Sequence, residues 1–315
     1  MNDKSFHAFV VSKANDSSYT REVTKRKIND LPKGDVLIRV RYSSLNYKDG
    51  LSCIGNPGVT RNFPHTPGIE ASGEVEESRD PRFKEGDFVI VMGYNLGMDT
   101  SGGFGQYIRV PADWVIPLPK GLTSKEASIY GVAGFTAALS VNALIKHGIS
   151  PEDGDILVTG ATGGVGSVSV ALLSHLGYNV VASTGKTEES EFLKGIGASQ
   201  IISREEVDNN SKKPLLSQRW AGAIDSVGGS TLANLLKAVK REGAIAALGN
   251  VGSSEFSTTV FPFILRGVSL IGIDSGYTPK KLRNEIWCKL ADDWKLKQLH
   301  NLTTECTLLG LEPEI

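Results

Sequence analysis

The stretch VTGATGGVGSVS (158–169) carries the strongest chemical signal in the chain. Gly160, Gly163, Gly164 and Gly166 lie between an apolar run, DILVT, and a helix-spaced run, SVSVALLSHLGY. Bare backbone there can approach a pyrophosphate, with a helix N-terminus facing it. Thr162 and Val165 belong to the same loop. A glycine pattern alone also describes a tight turn, but a strand before it and a helix after it make it a dinucleotide site. The next strand, NVVAST, chooses the cofactor, because an NAD site places Asp or Glu at its end to hold the ribose hydroxyls. This chain reads Ser183, Thr184, Gly185 and Lys186, with Arg204 after the following strand. Hydroxyls and cations suit a 2′-phosphate and no acid repels it, so NADPH is expected rather than NADH. Gly249, Asn250 and Val251 in LGNVGS, and Asp274 and Ser275 in GIDSG, follow the fifth and sixth strands. Strand carboxyl ends face the ligand, so these turns are expected at the nicotinamide half.

A second feature is TPGIEASGEV (66–75), where Glu70 stands between Ile69 and Ala71 with no charge beside it. An acid placed there, after a Pro-Gly turn and at the start of a strand, is either a paired structural group or the trace of a chemical site.

Two kinds of scaffold must position these residues. Up to about residue 120 the chain shows short alternating strands, VLIRVRY (36–42), GEVEES (73–78), DFVIVM (87–92) and GQYIRV (105–110), separated by turn signals. WVIPLPKG reads as a domain exit, and helical spacing starts at Ser124, with Glu126 placed to cap it. From Asp155 the rhythm becomes strand, glycine turn, helix, repeated. That alternation predicts an α/β protein: a β-rich domain over 1–123, then a Rossmann-type doubly wound parallel sheet over 124–280.

Composition narrows the function classes. The chain has 315 residues, 40% hydrophobic and 22% charged, as in a globular protein. Its net charge of −1 gives no electrostatic case for nucleic acid or an anionic membrane. The N-terminus has no apolar leader, and no run is expected to span a bilayer; VSVALLSHLG is interrupted by Ser and His. Cys53, Cys288 and Cys306 are too scattered for a disulfide framework or a four-Cys zinc lobe, which leaves a reduced, cytoplasmic setting as the expectation. NNSKKP (209–214) reads as a solvated loop.

A β-rich part followed by a Rossmann part resembles the medium-chain dehydrogenase/reductase superfamily. SSLNYKDGL, RNFPHTPGIEASGEV, GVAGFTAAL, ATGGVGSVSVALLSHLGY and FPFILRGVSLIGIDS narrow the resemblance to its quinone oxidoreductase branch, which includes NADPH-dependent acrylyl-CoA reductases. The resemblance implies a GroES-like catalytic domain, a return segment to it over about 281–315, a homodimer, and hydride transfer to an activated double bond. The substrate it implies is a small enone or acyl-CoA, best acrylyl-CoA, or else a quinone; a non-catalytic NADPH-binding protein is the reading of another class. Zinc members carry Cys, His and Cys where this chain has Asn46, Ile69 and Val132 or Ala133, side chains that cannot replace a thiolate or imidazole, so no metal is expected. The glycines also spell the TGxxxGxG loop of short-chain dehydrogenases, with YTPKK (277–281) at their Tyr–Lys spacing. The β-rich part ahead of the loop, and Pro279, set that reading aside.

By motif position the resemblance places Asn46, Tyr47 and Asp49 facing the nicotinamide. Asn46 would donate to the substrate carbonyl, Tyr47 would orient substrate or deliver a proton, and Asp49 would also cap the helix begun by DGLSCIG. Tyr94 in GYNLG is the alternative proton donor. Thr136 in GFTAA would meet the nicotinamide, and Arg61 in VTRNFP is a candidate for an acyl-CoA phosphate. Members close the first domain with a helix and a strand bearing a Gly-Arg pair, whereas this chain reads WKLKQLHNLTTECTLLGLEPEI, which implies an open sheet edge.

Overall fold

A computed structural model describes residues 4–14, 18–208 and 211–315. The chain divides into two compact units, one taking in the chain up to Val132 with Gly276–Ala291 and Leu299–Ile315, the other Ala133–Ser275 with Asp292–Gln298.

The first unit opens with a hairpin, β1 (Ser5–Lys13) and β2 (Tyr19–Lys27), paired antiparallel from Ser5–Lys27 to Lys13–Tyr19. Then follow β3 (Val36–Tyr42), α1 (Tyr47–Cys53), β4 (Glu70–Ser78), β5 (Phe88–Met92), β6 (Tyr107–Val110) and β7 (Val115–Pro117). The last five strands form an antiparallel sheet in the order β6-β3-β4-β5-β7. Val36, Ile38, Val75, Val89, Val91, Ile108 and Val110 turn one face of it into a core. The hairpin has no counterpart among the expected strands: β2, YTREVTKRK, is mostly charged and polar and does not read as a strand, although an Asn-Asp-Ser-Ser cluster (15–18) precedes it in sequence.

Helix α2 (Ser124–His147) starts where expected, with Glu126 accepting from the Thr123 amide at 2.8 Å. Gly131, at φ 51° and ψ −156°, breaks it. Contrary to the expectation of no apolar run of membrane length, this helix has an 18-residue window with mean hydropathy 1.5. That window is 72% buried inside the protein, as befits a core helix rather than a lipid-facing one.

The second unit is built from β8 (Ile156–Thr159), α3 (Gly164–His175), β9 (Val180–Thr184), α4 (Ser190–Gly195), β10 (Gln200–Ser203), α5 (Arg204–Val207), β11 (Trp220–Asp225), α6 (Gly229–Ala238), β12 (Val239–Ala247), α7 (Phe261–Arg266) and β13 (Ser269–Gly272). All six strands are parallel, in the order β10-β9-β8-β11-β12-β13. This is the expected doubly wound sheet, and its order reverses between β8 and β11, where open α/β sheets bind ligands. Leu157, Val181, Ala223, Leu235 and Ile245 are buried at its centre. Of NNSKKP, Asn209 and Asn210 lie outside the described residues; Lys212 to Pro214 are exposed loop.

The chain then forms α8 (Lys280–Ala291) in the first unit, beginning just after Pro279. Beyond it the described residues hold only short 3-10 turns, and Leu308, Leu311 and Ile315 pack with Phe9, Val11 and Phe104.

Leu157 has no exposed surface and sits between β9 and β11. Leu157→Ala is expected to cost about 2–5 kcal/mol, read as a lower denaturant midpoint at an unchanged slope.

Candidate functional site

In the second unit the functional residues gather at one edge of the sheet, because parallel strands all end on the same side. β8 stops at Thr159 and the chain turns through Gly160 at φ 59° into α3. A Cβ on Gly166 would stand 2.2 Å from the Gly160 carbonyl oxygen, so helix and loop approach as only glycine permits. Gly163 caps α3; Gly163 and Gly164 are exposed, and Thr162 and Val165 are half-buried. The first-turn amides of α3 have no intrahelical acceptor, and they carry the positive end of the helix dipole. The loop is therefore built to receive an anion.

Residues that the sequence reading passed over hold this loop. Asp225, fully buried at the end of β11, accepts from the Thr159 hydroxyl at 2.7 Å and the Gly228 amide at 2.8 Å. Ser226 donates its amide to the Thr159 hydroxyl at 3.2 Å and its hydroxyl to the Thr159 carbonyl at 3.1 Å. Burial pushes the Asp225 carboxyl up, against the pull of Thr159 and the loop amides. An acid ending the buried run AGAID was the signal available for it.

At the end of β9 the arrangement corrects one expectation. Ser183 and Thr184 are buried, and their hydroxyls serve the protein: Ser183 Oγ reaches the Ser203 carbonyl at 3.5 Å, and Thr184 Oγ1 accepts the Lys186 amide at 3.0 Å. Thr184 Oγ1 also lies 3.3 Å from Thr162 Oγ1. Lys186 and Arg204 are instead the exposed groups, and among the described residues neither is in an ion pair. The Arg204 guanidinium lies over Gly185, where a Cβ would meet its Nε at 2.8 Å. Gly249 is held 2.6 Å, by the same measure, from the Ser226 carbonyl, and exposed Asn250 and Val251 follow it. Asp274 is exposed and Ser275 half-buried beyond β13. Thr136 is buried on α2, its carbonyl accepting from Ser140 at 2.8 Å.

In the first unit, Asn46 is the extended N-cap of α1 and its amide donates to Asp49 Oδ2 at 2.8 Å. Asp49 Oδ1 accepts from the Gly68 and Ile69 amides at 3.0 and 2.9 Å. Burial pushes Asp49 up to about 6 although these amides pull the other way. Its carboxylate is fully enclosed, so Asp49 is a clamp between α1 and the Gly68 turn rather than a group that meets substrate. The Asn46 side-chain amide donates to the Ser44 carbonyl at 3.2 Å and hydroxyl at 3.3 Å. Tyr47, next on α1, is 74% exposed and open to a ligand.

Glu70 is 1% exposed, and its Oε1 accepts from the Ser44 amide at 2.8 Å. It is pushed up to about 8, first by burial and further by Asp49. Tyr94, at φ 52°, stacks on Trp114 with ring centroids 5.2 Å apart and carries the Arg283 guanidinium over its ring at 4.7 Å. Arg283, buried on α8, donates to the Met92 and Gly276 carbonyls at 2.6 and 2.9 Å. Arg61 is exposed and donates through Nε to the Pro57 carbonyl at 3.1 Å. Cys53 is buried and its thiol is pushed up to about 12, which removes it as a nucleophile. Among the described residues no cluster of His, Cys, Asp and Glu could hold a metal ion.

Comparison with known proteins places this geometry. Residues 32–120 match the alcohol dehydrogenase GroES-like domain family and residues 164–290 the family described as zinc-binding dehydrogenase. YhfP of Bacillus subtilis, whose name marks it as a candidate quinone oxidoreductase, is 52% identical over 86% of this chain and 82% of its own. Acrylyl-CoA reductase AcuI of Ruegeria pomeroyi is 46% identical over 97% of this chain and 93% of its own. The solved structure of the yhdH oxidoreductase from Salmonella enterica in complex with NADP superposes with a TM-score of 0.94 at 43% identity, covering 98% of this chain and 94% of that one. The Bacillus subtilis yhfP structure, with NAD bound, gives 0.92 at 49% identity, covering 95% and 90%. The chain belongs to the medium-chain dehydrogenase/reductase superfamily, in its branch of quinone oxidoreductases and acrylyl-CoA reductases.

Proposed function

We propose that the protein is an NADPH-dependent reductase that adds hydride to the activated double bond of an α,β-unsaturated carbonyl, best acrylyl-CoA. The 46% identity to an acrylyl-CoA reductase along nearly the whole of both chains carries the reading. A quinone as acceptor is the second reading, favoured by the name of YhfP.

The residues present fit NADPH. A glycine cradle that a Cβ would fill, the open amides of α3, and Lys186 after β9 with Arg204 after β10, neither in an ion pair among the described residues, match a pyrophosphate and a 2′-phosphate. When bound, NADPH supplies the hydride that goes to the β-carbon of the substrate. The chain's own part is to bind, orient and stabilise charge. Gly160–Gly166 hold the pyrophosphate, Lys186 and Arg204 the 2′-phosphate, and Thr136, Gly249, Asn250, Asp274 and Ser275 line the nicotinamide half. The Asn46 amide donates to the substrate carbonyl oxygen, which takes on enolate charge, and Tyr47 hands a proton to the α-carbon. Tyr47 is assigned this step ahead of Tyr94, whose ring is committed to Trp114 and Arg283. Arg61 is offered to an acyl-CoA phosphate.

A homodimer belongs to the same reading. It is supported by the open edge of β13 and the exposed apolar residues Val260, Ile264 and Leu265 on and beside α7. Three free cysteines support a reducing, cytoplasmic setting.

Following NADPH absorbance with acrylyl-CoA, a simple enone and a quinone in parallel tests the reading. Turnover is expected fastest with acrylyl-CoA, and measurable NADPH binding without oxidation by any of the three would sink it. Arg204→Ala is expected to raise KM for NADPH by about 10–100-fold, the worth of a charged hydrogen bond, and to leave KM for NADH nearly unchanged. Tyr47→Phe is expected to lower kcat by about 10²-fold or more with NADPH affinity unchanged, as for loss of a proton donor.

A further inference from the structure

Glu70 is a fully buried acid at the start of β4, yet the steps above do not use it. We propose that Glu70 is a positioning residue for the reduction, holding Asn46 and Tyr47 at the substrate through Ser44. The proposal rests on the reductase reading above.

Connectivity carries it. Glu70 Oε1 accepts the Ser44 amide at 2.8 Å, and the Glu70 carbonyl accepts the Ser43 hydroxyl at 2.7 Å. Ser44 in turn receives both contacts of the Asn46 side-chain amide, at its carbonyl and its hydroxyl. From the other side Asp49 binds the amides of Asn46, Gly68 and Ile69. The segment 43–49, with Asn46 and Tyr47 in its middle, is thus tied to the three residues Gly68, Ile69 and Glu70 by two buried carboxyl groups.

The surroundings are shaped for the carboxyl rather than for a cation. Among the described residues no Lys, Arg or His pairs with Glu70; the titratable group that acts on it is Asp49, and Ser44 and Ser128 hydrogen-bond it. Gly131, at the break in α2, makes the room. A Cβ there would stand 2.7 Å from Glu70 Oε2 and 2.5 Å from Ser44 Oγ, in a backbone conformation that L-residues rarely adopt.

Two carboxyl groups sharing one buried region resist carrying two charges, so they titrate as a pair. With Asp49 near 6 and Glu70 near 8, the pair holds one negative charge between those values. In that window Glu70 is a neutral acceptor for Ser44; ionising it places a second charge beside Asp49 and loosens the segment. The sign for stability follows. Both groups bind their protons more tightly folded than unfolded, so stability declines as pH rises from about 4 to about 8 and levels off above that.

Wild type, Glu70→Gln and Glu70→Ala decide it, through kcat and KM for acrylyl-CoA as a function of pH, NADPH affinity, and hydrogen exchange of the 43–50 amides. Glu70→Gln keeps an acceptor for Ser44 and does not titrate. It is expected to hold kcat at neutral pH within about threefold and to lack the fall of kcat expected of wild type near pH 8. Glu70→Ala is expected to lower kcat by about 10–100-fold, with NADPH affinity unchanged and faster exchange at Ser44, as when a buried hydrogen bond is left unmade. If the Ala variant does not fold, the Gln profile decides alone. A Gln variant that keeps the wild-type alkaline limb, or one as slow as the Ala variant, overturns the proposal. Wild type that oxidises no NADPH with any acceptor overturns the reductase reading, and the proposal with it; that outcome is distinct from active wild type with an unchanged Gln profile.

Discussion

A buried carboxylate that accepts backbone amides is the interaction on which both functional regions depend. In the first unit Asp49 ties the cap of α1 to the Gly68 turn through three amides. In the second Asp225 ties the end of β8 to the loop after β11 through the Thr159 hydroxyl and the Gly228 amide. The physical logic is the same in each. Glycine-rich backbone must bend sharply and stay open to a ligand, so it cannot be held by its own side chains. An acid from a neighbouring element satisfies the loop donors, which would be costly to bury unpaired. Burial raises each acid above its ordinary range, which measures the desolvation that those hydrogen bonds offset.

The two anchors leave different chemistry exposed. Around α3, packing excludes side chains from the loop and presents amides, a surface for diffuse anionic charge. Around α1, the clamp is hidden beneath and what emerges is one amide and one phenol, Asn46 and Tyr47, suited to a carbonyl and a proton. Electrostatic support for a developing enolate works only where donors are held before the reaction begins. The underlayer of Asp49, Ser44 and Glu70 fixes the segment from which those two groups emerge.

The sequence made the second unit legible almost strand by strand, because a parallel sheet buried on both faces writes itself as uninterrupted apolar runs such as DILVT and AGAID. The glycine loop was legible because its glycines stand between an apolar strand and a helix-spaced run, where close backbone approach is required. The β1–β2 hairpin was not, because β1 lacks a clean alternation and β2 is mostly charged and polar; β1 is held by contacts far along the chain, such as the Phe9 amide with the Phe104 carbonyl. Side-chain roles were harder still. Ser183 and Thr184 have the chemistry of phosphate ligands, but whether a hydroxyl turns outward or into its own sheet depends on rotamer and packing, which spacing does not encode. Glu70 was conspicuous in sequence; Ser44 and Gly131, which make its niche, were visible only once α2 was seen to break.

The anchor at β8 has a consequence for how the molecule comes into being. Thr159 and Asp225 are 66 residues apart, and the pairing of β8 with β11 spans the intervening β9 and β10. Closing so long a loop costs entropy before any contact returns it, so the middle of this sheet is intrinsically slow to assemble. During synthesis the glycine loop leaves the ribosome well before its acid does. Until β11 arrives, the segment that will cradle phosphate has its contacts with β9 but not its buried acid, so the dinucleotide loop is completed only with the closure of the sheet's centre.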